Sequence, residues 1–274
     1  MKKRLMAAVL STAMAATMLL TGSISVQAAD AAAANDPAVE LIFTSVSVSG
    51  DSHTEAMYEF ADKVEELSGG SVTCKCYDNG SLFSSENEFD ALLNGDADLA
   101  YISFPTIATQ IPSYSMFASG YLFSSYEHMT SVLNGDIGLN KIRPQIEETL
   151  NIKPLSSFYL GSRVINTREK EINSYDDMNG LLLRMPNSEA WLFLGEALGA
   201  NPTPLSFSEL YTALQTGAVD GQENPLFTIY NSRFYEVQKY LSLTEHFYPV
   251  CPLMMSEITW NKLSPEQQDI VADA

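Results

Sequence analysis

Gly180-Leu181-Leu182-Leu183-Arg184-Met185-Pro186-Asn187-Ser188-Glu189 decides how the chain is read. Leu181 to Leu183 is a short apolar run between a glycine and Arg184-Met185-Pro186, which suits a buried strand of a parallel sheet with Arg184 at its carboxyl end. Asn187 and Ser188 are candidate caps, Glu189 sits where the helix dipole favours an anion, and Gly199 closes the predicted helix. Asn201 to Pro204 reads as a turn. Ser206-Phe207-Ser208-Glu209 reads as a capping box that opens a helix carrying Leu210, Tyr211 and Leu214 and ending at Gly217. Asp220-Gly221-Gln222-Glu223-Asn224-Pro225 reads as a polar turn. Ligands of open α/β sheets bind outside the carboxyl ends of strands, so Arg184 and Asn224 mark where a site is expected.

Outward from there, the N-terminal half repeats the logic. Val39 to Val48 predicts a strand, Ser52 with Glu55 a capped helix running to Gly69-Gly70, and Val72 to Tyr77 a second strand. A helix around Phe89 to Leu93 stops at Gly95 before a third strand, Leu99 to Ser103. This β-α-β-α-β order predicts a doubly wound lobe. Glu88 to Leu93, then Gly95 and Asp98, echoes Glu209 to Leu214, then Gly217 and Asp220, which suggests a second lobe built alike. Helices are expected over 126–135, begun by Ser124 and Glu127, over 137–150 and over 234–241. Strands are expected over 152–160 and from Val250 towards Trp260. Ser264-Pro265-Glu266-Gln267 is a helix start with cap, proline and Gln in place. The chain stops soon afterwards, and C-terminal helices are expected to be missing or truncated.

The 274 residues suggest a globular protein of one or two domains. Lys2-Lys3-Arg4, the apolar run Leu5 to Leu20 and Val26-Gln27-Ala28 match a secretory signal peptide over 1–29, followed by a flexible start over 30–38. Ser23 stands where a lipid-bearing cysteine would be, so lipidation is not expected. Removing the signal leaves 15 − 3 = 12 basic residues against 34 acidic ones, a net charge of 12 − 34 = −22. Such a surface repels nucleic acid and anionic membranes, and any anion site must draw on five arginines: Arg143, Arg163, Arg168, Arg184 and Arg233. Cys74, Cys76 and Cys251 read as small buried residues, with a Cys251 disulfide left open. Three scattered histidines and no nucleophile, metal or nucleotide motif give no support for catalysis, a metal or a cofactor. Aromatics such as Tyr121, Phe123, Phe158, Tyr159 and Phe207 read as core.

An arginine taken alone is more often a surface or salt-bridged residue than a ligand contact. Arg163 and Arg184 both follow predicted strands, and the words around them are specific. Gly161-Ser162-Arg163, Asp177-Met178-Asn179-Gly180, Leu183 to Asn187, Pro202-Thr203-Pro204 with Phe207-Ser208-Glu209, and Ala213 to Pro225 closely resemble the extracytoplasmic solute receptors of tripartite ATP-independent periplasmic (TRAP) transporters. Phe234 to Lys239 and Leu263 to Glu266 match as well.

The resemblance implies a two-lobed, type II periplasmic-binding-protein-like α/β fold with a ligand cleft between lobes, hinge crossings and bracing helices. By analogy lobe I takes 39–160 plus 250–274, and lobe II takes 161–249. It implies a monomeric, non-enzymatic receptor outside the cytoplasmic membrane that delivers a small organic acid to permease subunits driven by an ion gradient. Arg184 then resembles the arginine gripping the ligand carboxylate, Arg163 a second cation on the same group, and Asn224 a polar contact. Phe207 and Asn187 resemble pocket-lining positions. Acidic residues of the sialic-acid receptors align with Ser85 and Ser103, which argues against sialic acid, and Glu86 could supply a carboxylate for ligand hydroxyls. A sugar acid is the first expectation. A C4-dicarboxylate receptor, a sensor module and, last, a secreted hydrolase are the alternatives.

Overall fold

The computed structural model of the protein describes residues 36–274, except for the side chain of Phe158. The expected signal peptide and most of the flexible start lie outside the described residues. Among the described residues ten strands form two five-stranded sheets. The first takes β1 (Val39–Thr44), β2 (Val72–Tyr77), β3 (Leu99–Tyr101), β4 (Ile152–Tyr159) and β10 (Val250–Ser256), in the order β2-β1-β3-β10-β4. The second takes β5 (Arg163–Thr167), β6 (Leu182–Met185), β7 (Asn201–Pro204), β8 (Gly221–Pro225) and β9 (Tyr240–Phe247), in the order β7-β6-β8-β5-β9. The fold is α/β, as expected.

The two orders correspond strand for strand, and the echo in the sequence is a structural repeat. Gly95 and Gly217 both close helices in the left-handed conformation, at φ 76° and 77°, the backbone region that glycine adopts without a side-chain clash. Three residues on, Asp98 accepts from the Ile42 amide at 2.7 Å and Asp220 from the Leu182 amide at 2.9 Å. Each aspartate thereby pins β3 or β8 beside β1 or β6.

The second sheet is covered on both faces. Successive side chains of a strand point to opposite sides, and along β5 Ile165 packs with Leu183, Met185, Trp191 and Leu194, whereas Val164 packs with Leu210, Leu214 and Phe234. The first sheet's core is built on Ala100, Ile152 and Met254, with Phe104, Tyr114 and Phe117 clustered among them.

The described residues divide into two compact units. The smaller comprises 36–40, 60–74 and 263–274. Within it the Val39 amide donates to the Ser71 carbonyl at 2.8 Å, and Ser264 caps the helix Pro265–Asp273 in the predicted capping box. The larger comprises 41–59 and 75–262.

Several sequence expectations are corrected. Asp220 to Pro225 is not a turn, because Gly221–Pro225 is β8, a buried central strand. Asn201 to Pro204 is the edge strand β7, where prolines are tolerated. Residues 234–241 form a short 3-10 turn and the start of β9 rather than a helix. The Ser206 side chain caps no backbone amide and donates to the Glu209 carboxylate instead. Ser125, not Ser124, caps the helix Tyr126–Leu133. The helical residues are Glu189–Ala197, with Gly199 closing the helix just beyond them at φ +87°, and Tyr121 is exposed. Cys251 is buried, Cys74 and Cys76 are half-buried, and no disulfide forms among the described residues.

Candidate functional site

Within the larger unit lies a cavity of about 400 Å³ whose walls come from elements of both sheets. The structure brings all eight sequence-predicted site residues to it: Ser85, Glu86, Ser103, Arg163, Arg184, Asn187, Phe207 and Asn224. The first three stand on connections beside β3 and the short helix Glu88–Asn94. The other five come from the β5, β6 and β8 side.

Arg184 lies in β6 and is 2% exposed. Its Nε donates to the Leu205 carbonyl at 2.8 Å, which fixes the guanidinium plane, and Phe207 lies with its ring centre 5.9 Å from Cζ. Among the described residues no carboxylate pairs with it. Burial, reinforced by the charge of Arg163, pushes its pKa down to about 10. It therefore stays charged at neutral pH, a cation poor in solvent and ready for an anion.

Arg163, 4% exposed, opens β5 and is differently placed. Its Nε and Nη2 donate to the two carboxylate oxygens of Glu223, and Nη2 also reaches the Glu223 carbonyl at 2.7 Å. Trp191 lies across its guanidinium, 4.9 Å from Cζ. His246 stands 3.4 Å from the same carboxylate, with its other ring nitrogen 2.8 Å from the Thr244 hydroxyl. Burial alone would raise the Glu223 carboxyl, but Arg163 and His246 more than offset it and hold the pKa below the usual value. Arg163 is thus a cation already neutralised by the protein.

The remaining walls are polar. Asn224 donates through Nδ2 to Gln222 Oε1 at 2.6 Å, leaving its amide oxygen towards other partners. Ser85 donates to Glu86 at 2.9 Å, and the Ser103 and Thr106 hydroxyls lie 2.8 Å apart. Asp51, also in the wall, accepts from Asn231 at 2.7 Å and from Thr228 at 3.4 Å. Sequence reasoning missed Asp51, Glu88, Trp191 and Cys251 as lining residues. The one signal for Glu88 was an acid on a helix face otherwise made of Phe89, Ala91 and Leu92. No described helix is long and apolar enough to cross a membrane.

Residues 43–274 match the family described as DctP, bacterial extracellular solute-binding protein, family 7. The sialic acid-binding periplasmic protein SiaP of Vibrio cholerae is 36% identical over 214 residues, which are 78% of this chain and 66% of that protein. The C4-dicarboxylate-binding protein DctB of Bacillus subtilis is 30% identical over 223 residues, 80% of this chain and 62% of that one. The match therefore spans just under two thirds of these relatives' own lengths. Among solved structures, a TRAP periplasmic solute-binding protein of Roseobacter denitrificans with bound 3-deoxy-D-manno-oct-2-ulosonic acid superposes with a TM-score of 0.80. It is 39% identical, and the match covers 86% of this chain and 77% of that one. The sugar acid-binding protein DctPAm of Advenella mimigardefordensis, in complex with galactonate, gives a TM-score of 0.83 at 32% identity, covering 87% and 76%.

Proposed function

The chain belongs to the DctP family of bacterial extracellular solute-binding proteins, and on that premise we propose that it is the solute receptor of a TRAP transporter. It captures a hydroxylated monocarboxylate of the sugar-acid class outside the cytoplasmic membrane and delivers it unchanged to membrane permease subunits. The signal peptide expected at the N-terminus would export it.

The observation that carries the ligand class is the inequality of the two arginines. Arg184 has its Nε held by a backbone carbonyl and no carboxylate partner among the described residues, while Arg163 is taken up by Glu223. The wall then holds one uncompensated guanidinium, which suits one carboxylate held through paired, charge-assisted hydrogen bonds. A C4-dicarboxylate would have to draw Arg163 away from Glu223 or leave its second carboxylate unpaired near Glu86 and Asp51. Ser85, Ser103, Thr106, Asn187 and Asn224 suit the hydroxyls of a sugar acid, and two similar solved structures hold sugar acids.

A thermal-shift screen tests this reading with D-galacturonate, D-glucuronate, L-galactonate, 3-deoxy-D-manno-oct-2-ulosonate and succinate. An acid at a thousandfold over its dissociation constant adds about 4 kcal/mol of stability, which is read as a raised midpoint. A sugar acid is expected to stabilise more than succinate. Succinate alone shifting the midpoint would replace the sugar-acid reading with the dicarboxylate one.

A further inference from the structure

Glu88 is a carboxyl group in the cavity wall that the proposed carboxylate grip does not use. It opens the helix Glu88–Asn94, is 3% exposed, lines the cavity, and its Oε1 is buried with no hydrogen-bond partner among the described residues. The other acids of this wall are provided for: Glu86 accepts from Ser85, Asp51 accepts from Asn231 and Thr228, and Asp90 is exposed. Neither cation of the cavity is bonded to Glu88, since Arg163 serves Glu223 and the Nε of Arg184 serves Leu205. From β10 the group that faces it is the Cys251 thiol, itself pushed up to about 12 by burial and therefore uncharged.

An ionised carboxylate with no cation and an unbonded oxygen is costly to bury, and such a group keeps its proton instead. Burial accordingly drives the Glu88 carboxyl well above its ordinary value, with the Thr44 hydroxyl opposing. A neutral carboxyl has one O–H to give and one oxygen to receive. The partner that matches both is a hydroxyl, which also donates once and accepts. A ligand carboxylate could only accept.

We propose that Glu88 is a specificity-determining residue of the cavity, reading one hydroxyl of the bound acid as a neutral carboxyl that both donates and accepts. This rests on the sugar-acid reading of the site. It names the feature that the first-sheet side of the cavity selects, while Arg184 selects the charge.

The test uses Glu88→Gln, which keeps a donor and an acceptor, and Glu88→Leu, which keeps neither. Calorimetry is run with whichever of D-galacturonate, D-glucuronate and L-galactonate binds the unaltered protein. Gln is expected to stay within about threefold of it, and Leu to bind about tenfold or more weakly, because a ligand hydroxyl is left unpaired. Affinity of the unaltered protein should fall as pH rises towards the Glu88 pKa, and affinity of the Gln variant should not. Leu binding as well as the unaltered protein, or Gln as poorly as Leu, would overturn the proposal. A ligand-free arm keeps it separable from the sugar-acid reading. A neutral Glu88 makes the unaltered protein lose stability relative to Glu88→Gln as pH climbs from the ordinary carboxyl value of 4.5 towards the raised folded pKa. If none of the three acids binds, the sugar-acid reading fails by itself. A melting difference that stays constant across that range overturns the Glu88 proposal with or without a ligand.

Discussion

Arg163 and Glu223 form a buried two-point ion pair between neighbouring strands, with Nη2 2.7 Å from Oε1 and Nε bonded to the other carboxylate oxygen. It is why the polar sequence Gln222-Glu223-Asn224 can run as a central strand. Every charge there is matched inside the protein, so burial does not strand it.

Breaking the pair from one side leaves an uncompensated charge. Arg163→Met and Glu223→Leu are each expected to destabilise the fold by about 3–5 kcal/mol, and the double variant by clearly less than their sum. Denaturant melts of the four proteins measure the coupling. The pair also shapes the acid limb of stability. The folded Glu223 pKa lies below its ordinary value of 4.5, so the stability it contributes is present above that pH and is lost as pH falls through the folded pKa. Glu223→Gln should flatten the acid limb.

Arg184→Lys keeps the charge and loses the planar fork. With one paired hydrogen bond gone, worth about 1.5–3 kcal/mol, affinity for the carboxylate ligand should drop by roughly 10- to 150-fold. The melting midpoint of the ligand-free protein checks that the fold survives. Unchanged affinity by calorimetry would remove Arg184 from the site.

Gly161 lies where the chain passes from β4 to β5, at φ +101°, and an added Cβ would come 2.9 Å from Pro225 Cβ and 3.0 Å from Phe227 Cε1. Gly180 is also left-handed, at φ +79°, but an added Cβ there meets nothing within 4 Å. Gly180→Ala should cost about 1–2 kcal/mol from backbone conformation alone. Gly161→Ala should cost more, because overpacking typically adds about 1–3 kcal/mol. Chemical melts of the two variants compare the terms.

What could be read from the sequence followed what carries a local signal. Leu181 to Leu183 is apolar and bounded, Ser264-Pro265-Glu266-Gln267 is a complete cap, and the Gly95/Asp98 and Gly217/Asp220 pairs mark the same helix-to-strand joint twice. The strands misread as turns carry no apolar pattern. The side chains of β8 are buried by pairing with Arg163 and with each other, and β7 holds two prolines that only an edge position allows. Register and partner choice across 60 residues, as between Arg163 and Glu223, have no local signature. Arg163 and Arg184 could be placed by their strand-end positions and family wording, but nothing local said that one would be neutralised and the other left open. Glu88 was hidden because an acid at the start of a helix ordinarily serves the dipole at the surface.

Capture of a sugar acid through Arg184 is tested by calorimetric titration with D-galacturonate, D-glucuronate and L-galactonate beside their neutral counterparts D-galactose, D-glucose and galactitol. At least one acid is expected to bind with a dissociation constant of about a micromolar or tighter, near −8 kcal/mol. Its neutral counterpart, which offers the same hydroxyls but no carboxylate to Arg184, should not bind measurably. A neutral sugar binding as tightly as its acid, or no acid binding to folded protein, would contradict it.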